Sequence, residues 1–402
     1  VLLAAFVGSA SSVIANQVKN PAASYAIGVG PTGIAEANLA FASFSGRKRM
    51  DPQAGVSVHE RQLASRAYRN EPLSSAALGL MIASMPDSAS KGDRARLLEL
   101  GGQLTRRSSL ITSASIEAAA RDGNQPAFFL WLSRAILTNE SLRATYIRAM
   151  AQATARPDTE AALAPVIGPN PTWAGHYWKA VVNVPESLVN AAKLRVAVAQ
   201  SPWRQRRISD TDRMLVSQLA KFRHFDAMRD LVAALSPAEG GAFAANLDFS
   251  RPSLLPPVDW QLASSGNLGA TIEPKRKILA ISAIAGARGY AARQLLQLAP
   301  GAYELEWNLA ADATIENGTL TARLDCAEKA GSADGIEVSN LDIGRRRTSL
   351  TIPGDSCRWY WLSINVNVPD TSAGLDAQFR RISLTPSGQP APVAPKVTNP
   401  AN

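Results

Sequence analysis

The chain is poor in the side chains on which most metal binding and nucleophilic catalysis depend. Histidine occurs three times in 402 residues, at His59, His176 and His224, and no two stand at a metal-ligand spacing. Cysteine occurs twice, at Cys326 and Cys357, far from any histidine in sequence. No Gly-x-Ser-x-Gly elbow is present. The one glycine-rich run, Gly28-Val29-Gly30-Pro31-Thr32-Gly33, lacks the Lys-Ser/Thr ending of a phosphate loop and reads as a turn or linker. No cofactor, no metal and no nucleic-acid partner is expected. Glycoside hydrolysis needs two carboxylates at a controlled separation, and Glu304 and Glu306 on one predicted strand face are the nearest pair. Carboxylates two apart on a strand are commonplace on solvated faces, so a polysaccharide-modifying hydrolase is the weaker reading and a non-enzymatic protein the expectation.

Long apolar runs are almost absent too. The exception is Val1 to Ala15, with no charge before Lys19, whose length falls between a signal-peptide core and a membrane span. A cleaved signal and an uncleaved membrane anchor both fit, and either places the remainder outside the cytoplasm; the expected location is the periplasm, with the segment as an inner-membrane anchor if it is retained. Two cysteines confined to one β-rich region suit a Cys326–Cys357 disulfide in an oxidising compartment. The formal charge of +9 lies entirely in residues 1–242, with 27 basic and 18 acidic groups; the rest carries 15 of each. A basic half could face an anionic polymer or lipid, although a solvated, arginine-rich helical surface accounts for it as well.

What is present divides the chain. Residues 1–15 are the signal or anchor, and 16–55 are small, polar and interrupted by glycine, as in a linker. From 56 to 240 the pattern is helical, rich in Ala, Leu and Arg, with Pro72, Pro86, Gly123, Pro157 and Pro185 among the breakers bounding short segments. Three junctions look alike, each opening near a leucine: Leu73, Leu110 and Leu142, 37 and 32 residues apart. They resemble tetratricopeptide-like repeats, whose family fold is an all-α solenoid that usually holds peptides or partner proteins. After Pro237-Ala238-Glu239-Gly240-Gly241 strands replace helices, and 243–385 reads as an all-β sandwich. Tyr303, Leu305, Trp307 and Leu309 alternate with Glu304, Glu306 and Asn308, placing Trp307 in a core. Leu320, Ala322, Leu324 and Cys326 form a second half-buried strand, and Asn317-Gly318 and Asp334-Gly335 are tight-turn signals. Residues 386–402, rich in Pro and Ala, read as a disordered tail.

The clearest strand is Cys357 to Val368. Tyr360, Leu362, Ile364, Val366 and Val368 make one unbroken apolar face. Trp359, Trp361, Ser363, Asn365 and Asn367 make the other, and the two indoles stand roughly 6.5–7 Å apart along it. Sugars present apolar C–H faces ringed by hydroxyls, so two large aromatics beside three hydrogen-bonding side chains suit a glycan. These five residues are the candidate carbohydrate-binding site, with Trp260 and Tyr290 next in order as core and rim. The same face could instead be buried against a second layer, since tryptophan is usually inside.

Asn246-Leu247-Asp248-Phe249, then Pro256-Pro257-Val258-Asp259-Trp260, resembles the opening of carbohydrate-binding jelly-roll modules. Pro300-Gly301-Ala302-Tyr303-Glu304-Leu305 resembles one of their strands, and Phe379 to Leu384 their closing strand. With the apolar start and the helical repeats, the whole resembles a family of bacterial envelope proteins that accompany exopolysaccharide synthesis and export. The resemblance implies a scaffold in a polysaccharide-assembly system, with polysaccharide and membrane or periplasmic proteins as partners. A protein–protein adaptor whose β-sandwich is purely structural is the alternative.

Overall fold

The computed structural model describes residues 5–6, 9–10, 20–27, 33–51, 53–86, 90–236, 246–310, 318–329, 335–338, 340–354 and 357–387. The apolar start lies almost wholly outside them, as does the tail from 388 onward. Among the described residues no helix is long and apolar enough to cross a membrane. The chain forms two compact units, Val1–Val181 and Val182–Asn402.

The first unit is all helix: α1 Pro21–Ile27, α2 Gly33–Met50, α3 Val58–Asn70, α4 Ser75–Ala83, α5 Lys91–Leu104, α6 Ser109–Arg121, α7 Gln125–Thr138, α8 Arg143–Ala153, α9 Thr159–Ile167 and α10 Ala174–Val181. Their starts are written in the sequence. Ser57, Ser74, Ser90, Ser108 and Asn124 each accept the backbone N–H three residues on, satisfying a donor the helix cannot. Each helix packs mainly on those one or two places along the chain, the short-range pairing of helical repeats. The recurring leucines mark junctions, not core: Leu73 and Leu142 are exposed.

The segment 16–55, read as a linker, instead carries the whole of α1 and α2. Helical period is faint in α2 because the face it buries is made of small residues, Gly33, Ala35, Ala37 and Ala40, with Phe44. Gly33 opens the helix for a steric reason: a β-carbon there would come within 2.7 Å of the Glu71 β-carbon. One buried carboxylate ties α2 to α3. Glu60, 1% exposed, accepts from Arg47, from the Ser43 hydroxyl at 2.8 Å and from the Ser57 amide at 2.8 Å. Burial alone raises its pKa, but the hydrogen bonds from Arg47, Ser57 and Ser43 together outweigh that and bring it down to about 2.

The second unit begins with helices α11 Leu188–Ala199, α12 Asp210–Lys221 and α13 Phe225–Leu235. They belong to the same compact unit as the strands, so the division falls at Val181/Val182 and not near residue 240. Arg195 of α11 and Asp212 of α12 form a buried ion pair, Nε to Oδ1 2.7 Å. Arg195 also donates to the Gln205 and Arg207 carbonyls, which leaves little of its charge unmet.

The strands are β1 Gln261–Leu262, β2 Leu268–Glu273, β3 Ile278–Ala283, β4 Arg288–Gln297, β5 Gly301–Leu309, β6 Thr319–Cys326, β7 Ile336–Val338, β8 Gly344–Ile352, β9 Trp359–Asn367 and β10 Leu375–Pro386. They form two antiparallel sheets, β1-β4-β9-β6-β7 and β2-β3-β10-β5-β8. From β3 onward the chain crosses to the other sheet at every step except the β6–β7 hairpin, the sandwich crossing pattern of a jelly roll. Tyr360, Leu362, Ile364 and Val366 fill the core against Leu305, Trp307, Phe379 and Ile382, as strand parity predicts. Cys326 and Cys357 are disulfide-bonded, which points to an extracytoplasmic location.

Candidate functional site

β9 is the middle strand of its sheet, between β4 and β6, so its outward side chains form the centre of a face. Trp359, Trp361, Ser363, Asn365 and Asn367 all lie on that outer face, outside the core between the sheets. They do not share one environment. Trp359 is 4% exposed, because Phe225 at the start of α13 stacks on its indole with ring centroids 5.3 Å apart and planes 26° from parallel. Trp359 is thus mainly a packing residue of this face, with little of its ring open to solvent. Ser363 is buried at 7%. Trp361 and Asn365 are half-buried and Asn367 is exposed, so the open part of the face runs from Trp361 to Asn367.

The neighbouring strand supplies what the sequence did not disclose. β4 bulges between Tyr290 and Ala292, so that Tyr290 pairs with Asn365 and Arg293 with Ser363. A side chain at i+3 would ordinarily point to the opposite face; the extra residue turns Arg293 to the same side as Tyr290. The Arg293 guanidinium lies 4.2 Å from the Tyr290 ring centroid and 4.3 Å from that of Trp361. Its Nε donates to Gln261 Oε1 at 2.9 Å, which fixes the fork in place. The result is a row of three planar groups, phenol, guanidinium and indole, across β4 and β9, held by cation–π attraction.

β6 continues the face with Thr321 opposite Asn365 and Thr319 opposite Asn367. Arg323 beyond them is paired with Asp325 at 2.7 Å and lies near Glu337 at 3.8 Å. Asn365 therefore stands between an aromatic ring and a hydroxyl, within reach of both across the ladder. Apolar planes beside amide and hydroxyl groups can stack on the C–H face of a pyranose and bond its hydroxyls. The glutamates considered as a hydrolytic pair sit on the other sheet, where Glu306 pairs with Arg345 and Glu304 with Arg347 at 3.5 Å.

Trp260, 1% exposed, is core, as expected, and its indole donates to the Asn246 carbonyl at 3.3 Å. Asn246 also accepts from and donates to the Arg251 backbone, and Phe249 packs on Trp260 at 5.9 Å. The Tyr303 hydroxyl donates to the Ala299 carbonyl at 3.0 Å. Asn246, Phe249, Trp260 and Tyr303, the anchors of the jelly-roll resemblance, are thus buried supports that lie off the open face.

No protein-family model and no curated protein matches the chain. Among solved structures, a family 61 carbohydrate-binding module in complex with β-1,4-galactotriose is 11% identical, covering 36% of this chain and 97% of that one at a TM-score of 0.25. A family 4 carbohydrate-binding module is 14% identical, covering 35% of this chain and 97% of that one at a TM-score of 0.26. At such scores the functional reading stands on the residues of this chain alone.

Proposed function

We propose that the sandwich is a non-enzymatic glycan-binding module whose site is the open strip of the β4-β9-β6 face. Trp361 and Tyr290 provide the stacking surfaces, Arg293 locks their orientation, and Asn365, Asn367 and Thr321 supply hydrogen bonds. The observation that carries the reading is the Tyr290–Arg293–Trp361 row, an ordered set of planar groups half-open to solvent beside unburied amides. Core packing does not require an arginine between two aromatics, whereas a saccharide platform benefits from rings already immobilised. The disulfide suits a periplasmic setting, and the helical unit is then the part that holds protein partners of a polysaccharide-assembly system.

The adaptor reading keeps one observation on its side: part of the same face is already used for protein packing, where Phe225 covers Trp359. Affinity electrophoresis of the full chain through gels containing neutral or acidic polysaccharides decides between them. Trp361→Ala is expected to weaken retardation about tenfold or more, a loss of ~1.4 kcal/mol, with unchanged circular dichroism. Equal mobility of wild type and variant in every gel would leave the adaptor.

A further inference from the structure

The first unit contains a half-open cleft of about 530 Å³ that the glycan reading does not use. It lies between α2, α4, α5 and α6. Phe41, Phe44, Val56, Met85, Leu98 and Leu110 give it an apolar lining. Around them stand four cations, Lys48, Arg49, Arg94 and Arg121, against one carboxylate, Glu117. Glu117 is committed to Arg121, Nη2 to Oε1 2.7 Å, one turn away on α6. Arg94 is aimed by the Met85 and Pro86 carbonyls, which it meets at 3.2 and 3.0 Å. Lys48 and Arg49 are exposed and form no ion pair among the described residues, whereas their neighbour Arg47 is taken by Glu60. Half-buried Phe41, Leu98 and Leu110 are apolar surface in one concavity, which singly scattered exposed residues would not be.

The geometry points to this cleft as a docking site for an acidic peptide segment bearing two or more large apolar side chains. The apolar lining takes the side chains, and the exposed Lys48 and Arg49 on the rim select a negatively charged flank over a neutral or basic one. Ser45, Ser109 and Ser113 add hydroxyls that can bond a peptide backbone. The positive excess of residues 1–242 extends the same preference to longer range. This inference rests on reading the helical unit as the protein-binding half, and names the chemistry of what it holds.

The test is selection of random dodecapeptides on phage against the immobilised full chain, followed by fluorescence polarisation with the enriched peptides. Enriched peptides are expected to carry net negative charge and at least two of Leu, Ile, Phe, Met or Trp. Their affinity is expected to fall at least tenfold for Lys48→Glu/Arg49→Glu, and several-fold between 50 and 300 mM salt. Enriched peptides that are neutral or basic, or that bind the charge-reversed variant equally, would overturn the acidic-segment inference and leave the helical unit a peptide binder. No enrichment at all would overturn both. Sedimentation of the chain with vesicles of 30% phosphatidylglycerol, abolished by the same substitutions without any peptide enrichment, would reassign the cleft to a lipid surface and also overturn it.

Discussion

Trp359 and Trp361 differ by two positions, share a face and have opposite roles. Parity places both outward, but only the packing of α13 decides which one a ligand could touch. Trp359→Ala and Phe225→Ala should therefore act on stability, each removing a large buried ring at about 3–5 kcal/mol, seen as a lowered urea midpoint of the second unit. Trp361→Ala should cost far less stability and act on binding. If the two tryptophan variants unfold at the same midpoint, the division of the face into covered and open parts is wrong. Strand period made the face legible in the sequence, since alternation of Trp and Asn with an apolar row needs only local geometry. Arg293 was not legible. It joins Tyr290 and Trp361 through a bulge at Ala291, and nothing in the local composition distinguishes a bulged strand from a regular one. Phe225 was equally hidden, lying 134 residues from the ring it covers.

Among whole elements, the helices with polar caps were readable and the one made of small residues was not. Serine at the N-cap announces a helix start directly, before an apolar segment at Ser74 and Ser108 and with Glu60 three residues on at Ser57. α2 shows instead Gly and Ala where larger apolar residues would give a period, and at Gly33 the end of α3 leaves no room for a β-carbon. The same helix pair provides a pH signature. Glu60 has a folded-state pKa of about 2 against an ordinary 4.5, so its contribution is complete above pH 4.5 and lost as pH falls toward 2. Glu60→Gln should remove on the order of 2–3 kcal/mol at pH 7 and flatten the acid limb of the stability curve for the first unit, followed by helical ellipticity between pH 7 and 2. An unchanged acid limb would mean that the Arg47 and serine bonds do not hold the carboxylate as described.

For the whole molecule, the jelly roll was foreshadowed by turn signals and strand period, but the composition change near residue 240 marks a change of secondary structure and not the edge of a compact unit. A chain cut at 243 should uncover Trp359, and one cut at 182 should keep it covered by Phe225. The shorter piece is expected to unfold at lower temperature and to bind more of a hydrophobic dye such as ANS, compared by calorimetry and fluorescence. Equal melting of the two would make α11–α13 dispensable to the sandwich. The buried anchors of the jelly-roll motifs, Asn246, Phe249, Trp260 and Tyr303, mark an architecture and carry no information about a ligand.

Hydrogen–deuterium exchange on the full chain, with and without a polysaccharide that retards it, examines that face most directly. The account predicts slowed exchange confined to 288–293 of β4, 361–367 of β9 and 319–323 of β6, with β5 and β8 unaffected. Protection centred on β5 and β8, or on the helices, with none around Trp361 would contradict it.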